Sequence, residues 1–368
     1  MNLESGCDKM VRVLHVIGFL GKGGDSTAVI NVMNYLEKSN SSVKFDFLTY
    51  KRFDKDTFNF VKKNHNVFVL DNHLAVKHPL KFYKELKKIL LNNSYDAVHF
   101  HTSFQSCIGL FVSKKCGVPI RVCHSHTTAV QRKINVLGKK IILPLCRFLI
   151  NRFSTKRVAC SKGAGEFLFG VNSKFEVIYN GLDLEKERKI NKSIVQDIKN
   201  KYHISEDSVV VGQVGRFDDN KNQSFVIELA KLLDDKKYIF LLLGDGPNHD
   251  EIKIKVKKER LNNVHLIGYV DNVKDYMSLF NYMLQPSKYG EGLPVTLIEQ
   301  QIINSNCICL SSDIVTTEAN LGNVIYLPLD DIDSWINIIR NGTKINDLHN
   351  VKSFDIVNTS KIWLAIYK

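Results

Sequence analysis

The sequence predicts an α/β protein made of two doubly wound, parallel-sheet domains with a cleft between them. Its 368 residues exceed what one α/β core of ordinary size requires and suit two domains of about 150 to 200 residues each. Hydrophobic residues make up 44% and charged residues 24%, which is typical of a globular chain and excludes a disordered or fibrous one. Short β-branched runs alternate with helical patterns throughout, which indicates parallel strands joined by helical crossovers.

Ten apolar runs predict strands, five in each half of the chain. They lie at 11–17, 43–50, 97–101, 120–124 and 157–160, then at 209–214, 239–243, 264–267, 282–285 and 307–310. The turn at Asn180-Gly181, followed by a Lys- and Glu-rich stretch, separates the two series. We therefore predict domains over 1–184 and 185–345, and a tail over 346–368 whose apolar end could form a helix against the first domain.

The excess positive charge lies in the first half of the chain. Residues 1–180 hold 28 Lys and Arg against 12 Asp and Glu, and the remainder holds 23 against 26. No acidic residue occurs between Asp96 and Glu166, where twelve basic ones do. This imbalance favours an anionic membrane surface as a partner, whereas no recognised motif supports nucleic-acid binding.

Residues 139–152 within this basic region have the pattern of an amphipathic helix with basic flanks. Burial against the first sheet explains its apolar face, and contact with a membrane is the alternative. The chain has no run of 18 apolar residues, and its N-terminus lacks the pattern of a signal peptide. We therefore expect a cytoplasmic protein, held peripherally at the inner face of the plasma membrane.

A glycine-rich turn that includes Gly23 and Gly24 follows the first predicted strand and precedes a helical pattern. Such a turn lets backbone N–H groups and a helix N-terminus approach a phosphate, although a plain tight turn has the same composition. In the second half, Gly215-Arg216 and Lys221 follow the strand at 209–214. Cations at the carboxyl end of a parallel strand point into the crevice where ligands bind, and they suit a diphosphate.

The segment 286–299 is the strongest candidate for a binding site. Pro294 suits the first position of a helix, which would leave Glu291 in the preceding loop and Glu299 in the second turn. The helix start at Gly292-Leu293 can then receive phosphate, while the two carboxylates accept hydrogen bonds from sugar and ribose hydroxyls. A glutamate near a helix start also stabilises the helix dipole without any ligand.

Histidines occur in pairs at the ends of two first-half strands. His99 and His101 form one His-x-His pair, and His124 and His126 form the other. Histidines at strand ends can donate hydrogen bonds to a reacting sugar or act as bases. Two such pairs could also bind zinc, but we expect no metal site and no cofactor, since Cys123 should face away from the pair beside it.

Several of these motifs, in this order, resemble the retaining glycosyltransferases of the GT-B fold, family 4. Gly23-Gly24 resembles that family's glycine turn, although Asp25-Ser26 stands where Ala-Glu is usual. The sequence 178–183 resembles its Ile-x-Asn-Gly-x-Asp linker, and 243–247 its Gly-x-Gly-Pro turn. The remaining two motifs are the pair of phosphate-binding cations, matched by Arg216 and Lys221, and the Glu-x7-Glu signature, matched by Glu291 and Glu299.

The resemblance covers almost the whole chain and implies two Rossmann-like domains and transfer of a sugar, with retention, from a nucleotide-sugar that we expect to be a UDP-sugar. It implies substrate contacts at Gly23, Gly24, His124, Gly215, Gly292, Leu293, Pro294 and Glu299, and catalytic roles for His126, Glu291, Arg216 and Lys221. The family's active-site histidine corresponds to His124 or His126, and we prefer His126. The texture is closest to bacterial enzymes of capsular and exopolysaccharide synthesis. A membrane-associated, lipid-linked glycan that bears a diphosphate is the expected acceptor, since it would explain the positive charge of the first half. The alternative is a GT-B protein with weak catalysis that binds or regulates another transferase.

Overall fold

The structure is a computed structural model that describes residues 10–21, 23–39, 41–51, 53–71, 78–129, 138–233 and 236–368. The chain divides into a first unit, Met1–Leu182 with Ser353–Lys368, and a second unit, Asp183–Lys352. Of the twelve basic residues between Asp96 and Glu166, Arg132 and Lys133 lie outside the described residues. Within the described ranges, no helix is long and apolar enough to cross a membrane.

The first unit is built on one parallel sheet of seven strands. These are β1 Val11–Val16, β2 Val43–Tyr50, β3 Val67–Leu70, β4 Ala97–Phe100, β5 Ile120–Ser125, β6 Lys156–Ala159 and β7 Glu176–Val177. Their order is β3-β2-β1-β4-β5-β6-β7. The chain reverses its direction of winding between β1 and β4, where His15 pairs in register with His99. In doubly wound sheets, ligands bind outside the carboxyl ends of the strands at this switch point.

The second unit repeats this design with six parallel strands. These are β8 Val209–Val214, β9 Tyr238–Leu243, β10 Val264–Gly268, β11 Tyr282–Gln285, β12 Ile308–Ser312 and β13 Val324–Leu327. Their order, β10-β9-β8-β11-β12-β13, places the switch point between β8 and β11. Buried aliphatic and aromatic side chains of these strands and their helices form the core, with Trp335 fully buried in it.

Helices connect the strands in both units. In the first unit they are α1 Gly24–Lys38, α2 Lys55–Lys62, α3 Pro79–Asn93, α4 Ser106–Lys115, α5 Leu143–Phe153 and α6 Lys162–Phe169. The second unit has α7 Leu184–Glu187, α8 Lys192–Lys201, α9 Gln223–Leu232, α10 His249–Lys258, α11 Val273–Met277, α12 Val295–Ile303 and α13 Ile332–Asn341. The chain ends with α14 Ile356–Tyr367, which belongs to the first unit.

The structure contains all ten predicted strands and three that the sequence pattern did not single out. The additional strands β3, β7 and β13 all lie at sheet edges. Each has four residues or fewer, and their side chains are mostly half-buried or exposed, so the apolar signal is short. A smaller difference concerns Pro294, which precedes α12 rather than starting it, because its ψ of 93° is extended.

The terminal helix α14 packs into the core of the first unit. Ile356, Trp363 and Tyr367 are buried together with strand residues such as Val13 and Phe45. The segment before the helix pairs with the end of the predicted linker, since the backbone N–H of Leu182 donates to the carbonyl of Phe354 at 2.7 Å. The last residues of the chain thus complete the first unit's core.

Gly181 allows this close approach. A Cβ atom at position 181 would lie 2.7 Å from Ile356 Cδ1, 2.9 Å from its Cα and 2.9 Å from Thr359 Cβ. We expect Gly181→Ala to lower the free energy of unfolding by about 1–3 kcal/mol, the usual cost of overpacking. Guanidinium unfolding measures it, with Gly163→Ala in α6 as control, since its added methyl would make only an ordinary contact. Equal stability of Gly181→Ala and Gly163→Ala would contradict the close approach of α14 to Gly181.

Candidate functional site

The loop after β8 is fixed by its contact with the loop after β9. The N–H of Gly215 donates to the carbonyl of Leu243 at 3.0 Å. A Cβ atom on Gly244 would lie 2.0 Å from the carbonyl oxygen of Gly215, so only glycine fits this approach of two backbones. The loop presents Arg216, whose side chain is 57% exposed and lies 3.8 Å from the Asp218 carboxylate. The structure therefore holds a largely solvated cation at the second unit's switch point.

Asn220 connects this loop to the loop after β11. Its backbone carbonyl accepts from the N–H of Lys288 at 2.9 Å, and its side-chain oxygen accepts from the N–H of Tyr289 at 2.8 Å. These bonds draw together two segments that are some seventy residues apart in sequence. As a result, Lys221 and Glu291, predicted separately, lie in one site.

Glu291 and Lys221 form a largely buried ion pair. The Lys221 Nζ atom lies 2.7 Å from Glu291 Oε1, with the side chains 19% and 11% exposed. The same oxygen accepts from Ser287 Oγ at 2.9 Å and from Gln285 Nε2 at 3.2 Å. These donors hold the carboxylate in one orientation, with Lys221 as its countercharge. A partly buried cation beside a fixed acceptor can bind an anion and a hydroxyl group next to each other.

The helix that follows begins without a side-chain cap. Within the described residues, no side chain accepts a hydrogen bond from the first turn of α12 at Pro294–Leu297, and no acidic residue lies in that turn. The hydroxyl of Thr296 in this turn is buried, and no hydrogen-bond partner is described for it. Gly292 and Leu293, just before the helix, are buried. An uncapped helix start with an unsatisfied hydroxyl is suited to binding a phosphate.

Glu299 lies in the second turn of α12. Its side chain is partly buried, and burial together with the charge of Glu187 raises its pKa to about 7. Burial also raises the pKa of Glu187, whereas Lys274 and Lys186 lower it. The carboxyl group of Glu187 is therefore close enough to Glu299 to disfavour its charged form. Glu187 was not predicted from the sequence. A carboxyl group that is half protonated near neutral pH can either donate to or accept from a hydroxyl.

In the first unit, the glycine turn leads directly into α1. Gly23 immediately precedes the helix and Gly24 is its first residue. Ser26 closes the turn, because its Oγ donates to the carbonyl of Phe19 at 2.6 Å. The Asp25 carboxylate accepts from the N–H of Ser26 at 2.8 Å, and burial raises the pKa of this carboxyl group. Asp25-Ser26, which departs from the usual family pattern, thus stabilises the turn through its own hydrogen bonds.

Five imidazoles meet at the carboxyl ends of β1, β4 and β5, and we call them the histidine cluster. Its members are His15, His99, His101, His124 and His126. His101 is central, since its Nε2 lies 3.0 Å from His15 Nδ1 and its Nδ1 lies 2.8 Å from His126 Nε2. The sequence analysis predicted four of these five, and His15, inside the apolar run of β1, was missed.

The histidine cluster is neutral at physiological pH. Burial is the main cause that lowers the pKa of His15 to about 3 and that of His126 to about 4. It also holds the pKa values of His99, His101 and His124 well below 6.5, with neighbouring histidines adding to the effect. His124 is fully buried, whereas His126 is partly exposed. Of the two candidates for the active-site histidine, His126 is therefore the more exposed.

The terminal helix closes the other side of the cluster. The Trp363 ring stacks on that of His15 with centroids 5.5 Å apart, and the Tyr367 hydroxyl lies 2.7 Å from His99 Nδ1. Neither aromatic residue was predicted to contribute to a site. Their contribution depends on the return of the chain to the first unit, which leaves no local pattern.

A surface near the start of α5 exposes apolar side chains. Ile141, Ile142, Leu145 and Phe148 are 54–63% exposed, whereas Ile150 is buried. Burial therefore explains only part of the predicted apolar face at 139–152. The helix starts after a π-helical turn at Gly138–Ile142, and its exposed residues recur at helical spacing. A continuous exposed apolar stripe of this kind is typical of a binding surface.

Comparison with known proteins agrees with this architecture. Residues 22–186 match the family model described as Glycosyltransferase Family 4, and residues 195–320 match the one described as Glycosyl transferases group 1. The chain is 32% identical to EpsF of Bacillus subtilis (strain 168), which is named as a glycosyltransferase, over 89% of this chain and 86% of that one. It is 28% identical to the Staphylococcus aureus capsular polysaccharide biosynthesis glycosyltransferase CapH, over 83% and 82%.

The chain is also similar to a relative whose name states its reaction and to a protein of known structure. The chain is 26% identical to the Escherichia coli UDP-Gal:alpha-D-GlcNAc-diphosphoundecaprenol alpha-1,3-galactosyltransferase, over 73% of this chain and 72% of that one. Its fold matches Anabaena Alr3699/HepE in complex with UDP, with a TM-score of 0.74 at 16% identity, over 97% and 99%. The two parallel-sheet units and these matches together show a GT-B fold and glycosyltransferase activity in polysaccharide biosynthesis. The chain belongs to the GT-B glycosyltransferases of family 4.

Proposed function

We propose that the protein transfers a sugar from a UDP-sugar, with retention, to a lipid-linked glycan at the inner face of the plasma membrane. The observation that carries the donor half of this proposal is the Lys221–Glu291 pair at 2.7 Å. It lies at the switch point of the second unit, in the loops that precede the uncapped start of α12. A cation, a helix start and a fixed carboxylate are the groups that a nucleotide-sugar requires.

The donor would divide its contacts among these groups. Arg216, Lys221 and the helix start after Gly292-Leu293 bind the diphosphate, Glu291 accepts from hydroxyls of the transferred sugar, and Glu299 binds the ribose. As the sugar leaves, negative charge grows on the diphosphate, and fixed cations together with a helix dipole stabilise it without a metal ion. A carboxyl group whose pKa is raised to about 7 can either donate a hydrogen bond to a ribose hydroxyl or accept one from it.

In this proposal the first unit binds the acceptor. His126 is the partly exposed member of the histidine cluster, and its low pKa keeps the ring neutral. A neutral imidazole can position a sugar hydroxyl without adding a positive charge to a developing oxocarbenium ion. Retention by front-face attack follows from the family resemblance. HepE, solved with UDP, supports UDP as the nucleotide, and the name of the Escherichia coli relative supports a diphosphate-linked lipid acceptor.

The exposed surface at the start of α5 provides a membrane contact for this role. Ile141, Leu145 and Phe148 face solvent at spacings of four and three residues, as in a helix that lies in a lipid interface. Exposed basic residues accompany the stripe, including Lys140 and Arg152. Anionic headgroups would attract these charges at about 1 kcal/mol for each nearby cation. The combination favours a lipid surface that contains anionic lipids.

Replacing Leu145 and Phe148 with aspartate tests the membrane contact. We expect the double variant to bind phosphatidylglycerol-containing vesicles more than ~10-fold more weakly, because each apolar side chain contributes about 1.5–3 kcal/mol when fully buried. Co-sedimentation measures the binding, and Ile254→Asp on α10 is the matched control, since Ile254 is also exposed. Equal binding by both variants would refute a contact through this surface, and equal binding of the protein to neutral vesicles would refute the preference for anionic lipids.

Release of UDP in the presence of EDTA tests the proposed reaction. The untagged protein is incubated with a panel of nucleotide-sugars and a lipid extract that carries diphosphate-linked glycans. We expect UDP to be released only with a UDP-sugar and acceptor together, and Arg216→Ala and Glu299→Gln to abolish turnover while leaving the fold intact. Unchanged turnover in either variant would refute the site, and nucleotide binding without any transfer would indicate a binding or regulatory protein instead.

A further inference from the structure

The histidine cluster contains more nitrogen atoms than its hydrogen bonds satisfy. His99 Nε2, both ring nitrogens of His124 and Nδ1 of His126 are buried, and no hydrogen-bond partner is described for them. Leaving a buried donor or acceptor unsatisfied costs about 1–3 kcal/mol each. Two of these four nitrogens belong to His124, at the end of β5. The pattern indicates that something else binds there.

The same place brings three imidazoles within reach of one ion. One ring nitrogen each from His101, His124 and His126 lies within 4.8 Å of the other two. The residues come from two His-x-His pairs on the adjacent parallel strands β4 and β5, so they lie on the same side of the sheet. We propose that His101, His124 and His126 form a binding site for a divalent transition-metal ion, with Zn²⁺ as its fitting occupant.

The outer contacts of His101 favour this trio. A metal-bound histidine usually donates its other ring N–H to a fixed acceptor. If His101 Nδ1 binds the ion, its Nε2–H can donate to His15 Nδ1 at 3.0 Å, and His15 Nε2 lies 3.4 Å from the Tyr367 hydroxyl. The other close trio, His15, His99 and His101, is less suitable, because most of its nitrogens already have partners within the cluster.

The geometry and protonation of the three histidines suit zinc. Zinc binds imidazole nitrogens at about 2.0–2.1 Å in tetrahedral sites, which sets neighbouring nitrogens ~3.3 Å apart. The distance of 2.8 Å between His101 Nδ1 and His126 Nε2 therefore needs only a small widening. Each neutral imidazole offers one unprotonated nitrogen to a metal ion. His126 is partly exposed, and zinc sites with three protein ligands take a water molecule as the fourth.

This site shares His126 with the proposed sugar transfer, although its metal binding is measured without that reaction, and it differs from the sequence-based expectation of no metal. The difference arises because that expectation depended on Cys123, which should face away from the histidine pair beside it. In the structure, three histidines already converge, which is the number that open zinc sites use. The imidazole-only donor set suits Zn²⁺, Cu²⁺ and Ni²⁺ and disfavours Mg²⁺ and Ca²⁺.

Titration of the untagged, chelator-treated protein with Co²⁺ and then Zn²⁺ tests the proposal. We expect one equivalent of Co²⁺ to give visible absorption bands of a four- or five-coordinate site, and Zn²⁺ to abolish them by displacement. His124→Asn and His126→Asn should each raise the Kd by more than ~100-fold, because loss of an outer-shell partner alone costs 10–100-fold. His78→Ala is the matched control in the same unit, since His78 is exposed.

Zinc X-ray absorption of the loaded wild-type protein keeps the test valid should a buried variant fail to fold. The expected spectrum shows three imidazole ligands at about 2.0–2.1 Å. Absence of stoichiometric Co²⁺ or Zn²⁺ binding by the wild type would overturn the proposal and leave ordered water as the partner of the buried nitrogens. Equal affinity in wild type and folded His126→Asn would overturn it as well.

Discussion

Replacing Lys221 with alanine is expected to lower kcat/KM for sugar transfer by about 10²–10³-fold, the usual cost of removing one fixed donor to a developing anion. In the proposed donor site this residue has two tasks. Its ammonium group lies 2.7 Å from Glu291 Oε1, and both side chains are largely buried. Its removal takes a cation from the diphosphate and also leaves the Glu291 carboxylate without its countercharge, which costs more than the loss of an exposed pair.

Initial rates with varied donor concentration measure this effect. Lys253→Ala is the matched control, because Lys253 is exposed on α10. Lys221→Arg should recover only part of the activity, since the guanidinium fork cannot reproduce a single ammonium contact at this distance. A Lys221→Ala variant within ~3-fold of the wild type would show that the pair is structural rather than part of the donor site.

Acidification is expected to destabilise the first unit and to stabilise the second. His15, His99, His101 and His124 are at most 5% exposed, and burial lowers their pKa values far below the ordinary 6.5. Below pH 6.5 the unfolded chain therefore takes up protons that the folded unit does not. At pH 5.5 each such histidine costs about 1.4 kcal/mol of stability, so the four together cost on the order of 5 kcal/mol.

The carboxyl groups of the second unit act in the opposite direction. The pKa of Glu299 is raised to about 7 and that of Glu187 is also raised, so the folded unit binds protons before the unfolded chain does. Their contribution to stability is lost as the pH rises through 7 and is recovered as it falls toward the unfolded value, near 4.3. The two units should therefore respond to mild acid with opposite signs.

The two tryptophans allow each unit to be followed separately. Trp363 is buried in the first unit and Trp335 in the second, and the chain has no others. Guanidinium unfolding of Trp335→Phe and Trp363→Phe, followed by fluorescence between pH 7.5 and 5.5, reports the first and second unit respectively. If the free energy of unfolding changed in the same way with pH in both variants, the account would be wrong. It would also be wrong if the stability of the first unit did not change, because buried neutral histidines require a loss of stability in acid.

The fold was predictable because the strands are apolar runs of sufficient length. All ten predicted strands form, including β8 and β11, which lie on either side of the proposed donor site. The missed strands β3, β7 and β13 are short edge strands, and a four-residue apolar run is equally compatible with a turn of buried helix. The contribution of α14 to the first unit depends on Gly181 and Trp363, whose contacts are made across the length of the chain.

The individual residues of the candidate site could be predicted from the sequence, but the contacts between them could not. Lys221 and Glu291 were both identified, yet their pairing depends on Asn220 joining two loops, and no local pattern encodes that contact. Gln285 carried a signal that was not used, since a polar residue ends an apolar strand at the switch point. His15 carried the same kind of signal, a buried polar residue within an apolar strand.

Thermal unfolding with UDP, GDP and ADP in the presence of EDTA tests the central claim, a metal-independent UDP-sugar site at Lys221 and Glu291, most directly. Of the three nucleotides, we expect only UDP to raise the Tm of the wild type. A ligand at 100 times its Kd stabilises the folded state by about 2.7 kcal/mol. The increase should disappear in Lys221→Ala and persist in Lys253→Ala. No stabilisation by UDP, or equal stabilisation of wild type and Lys221→Ala, would contradict the account.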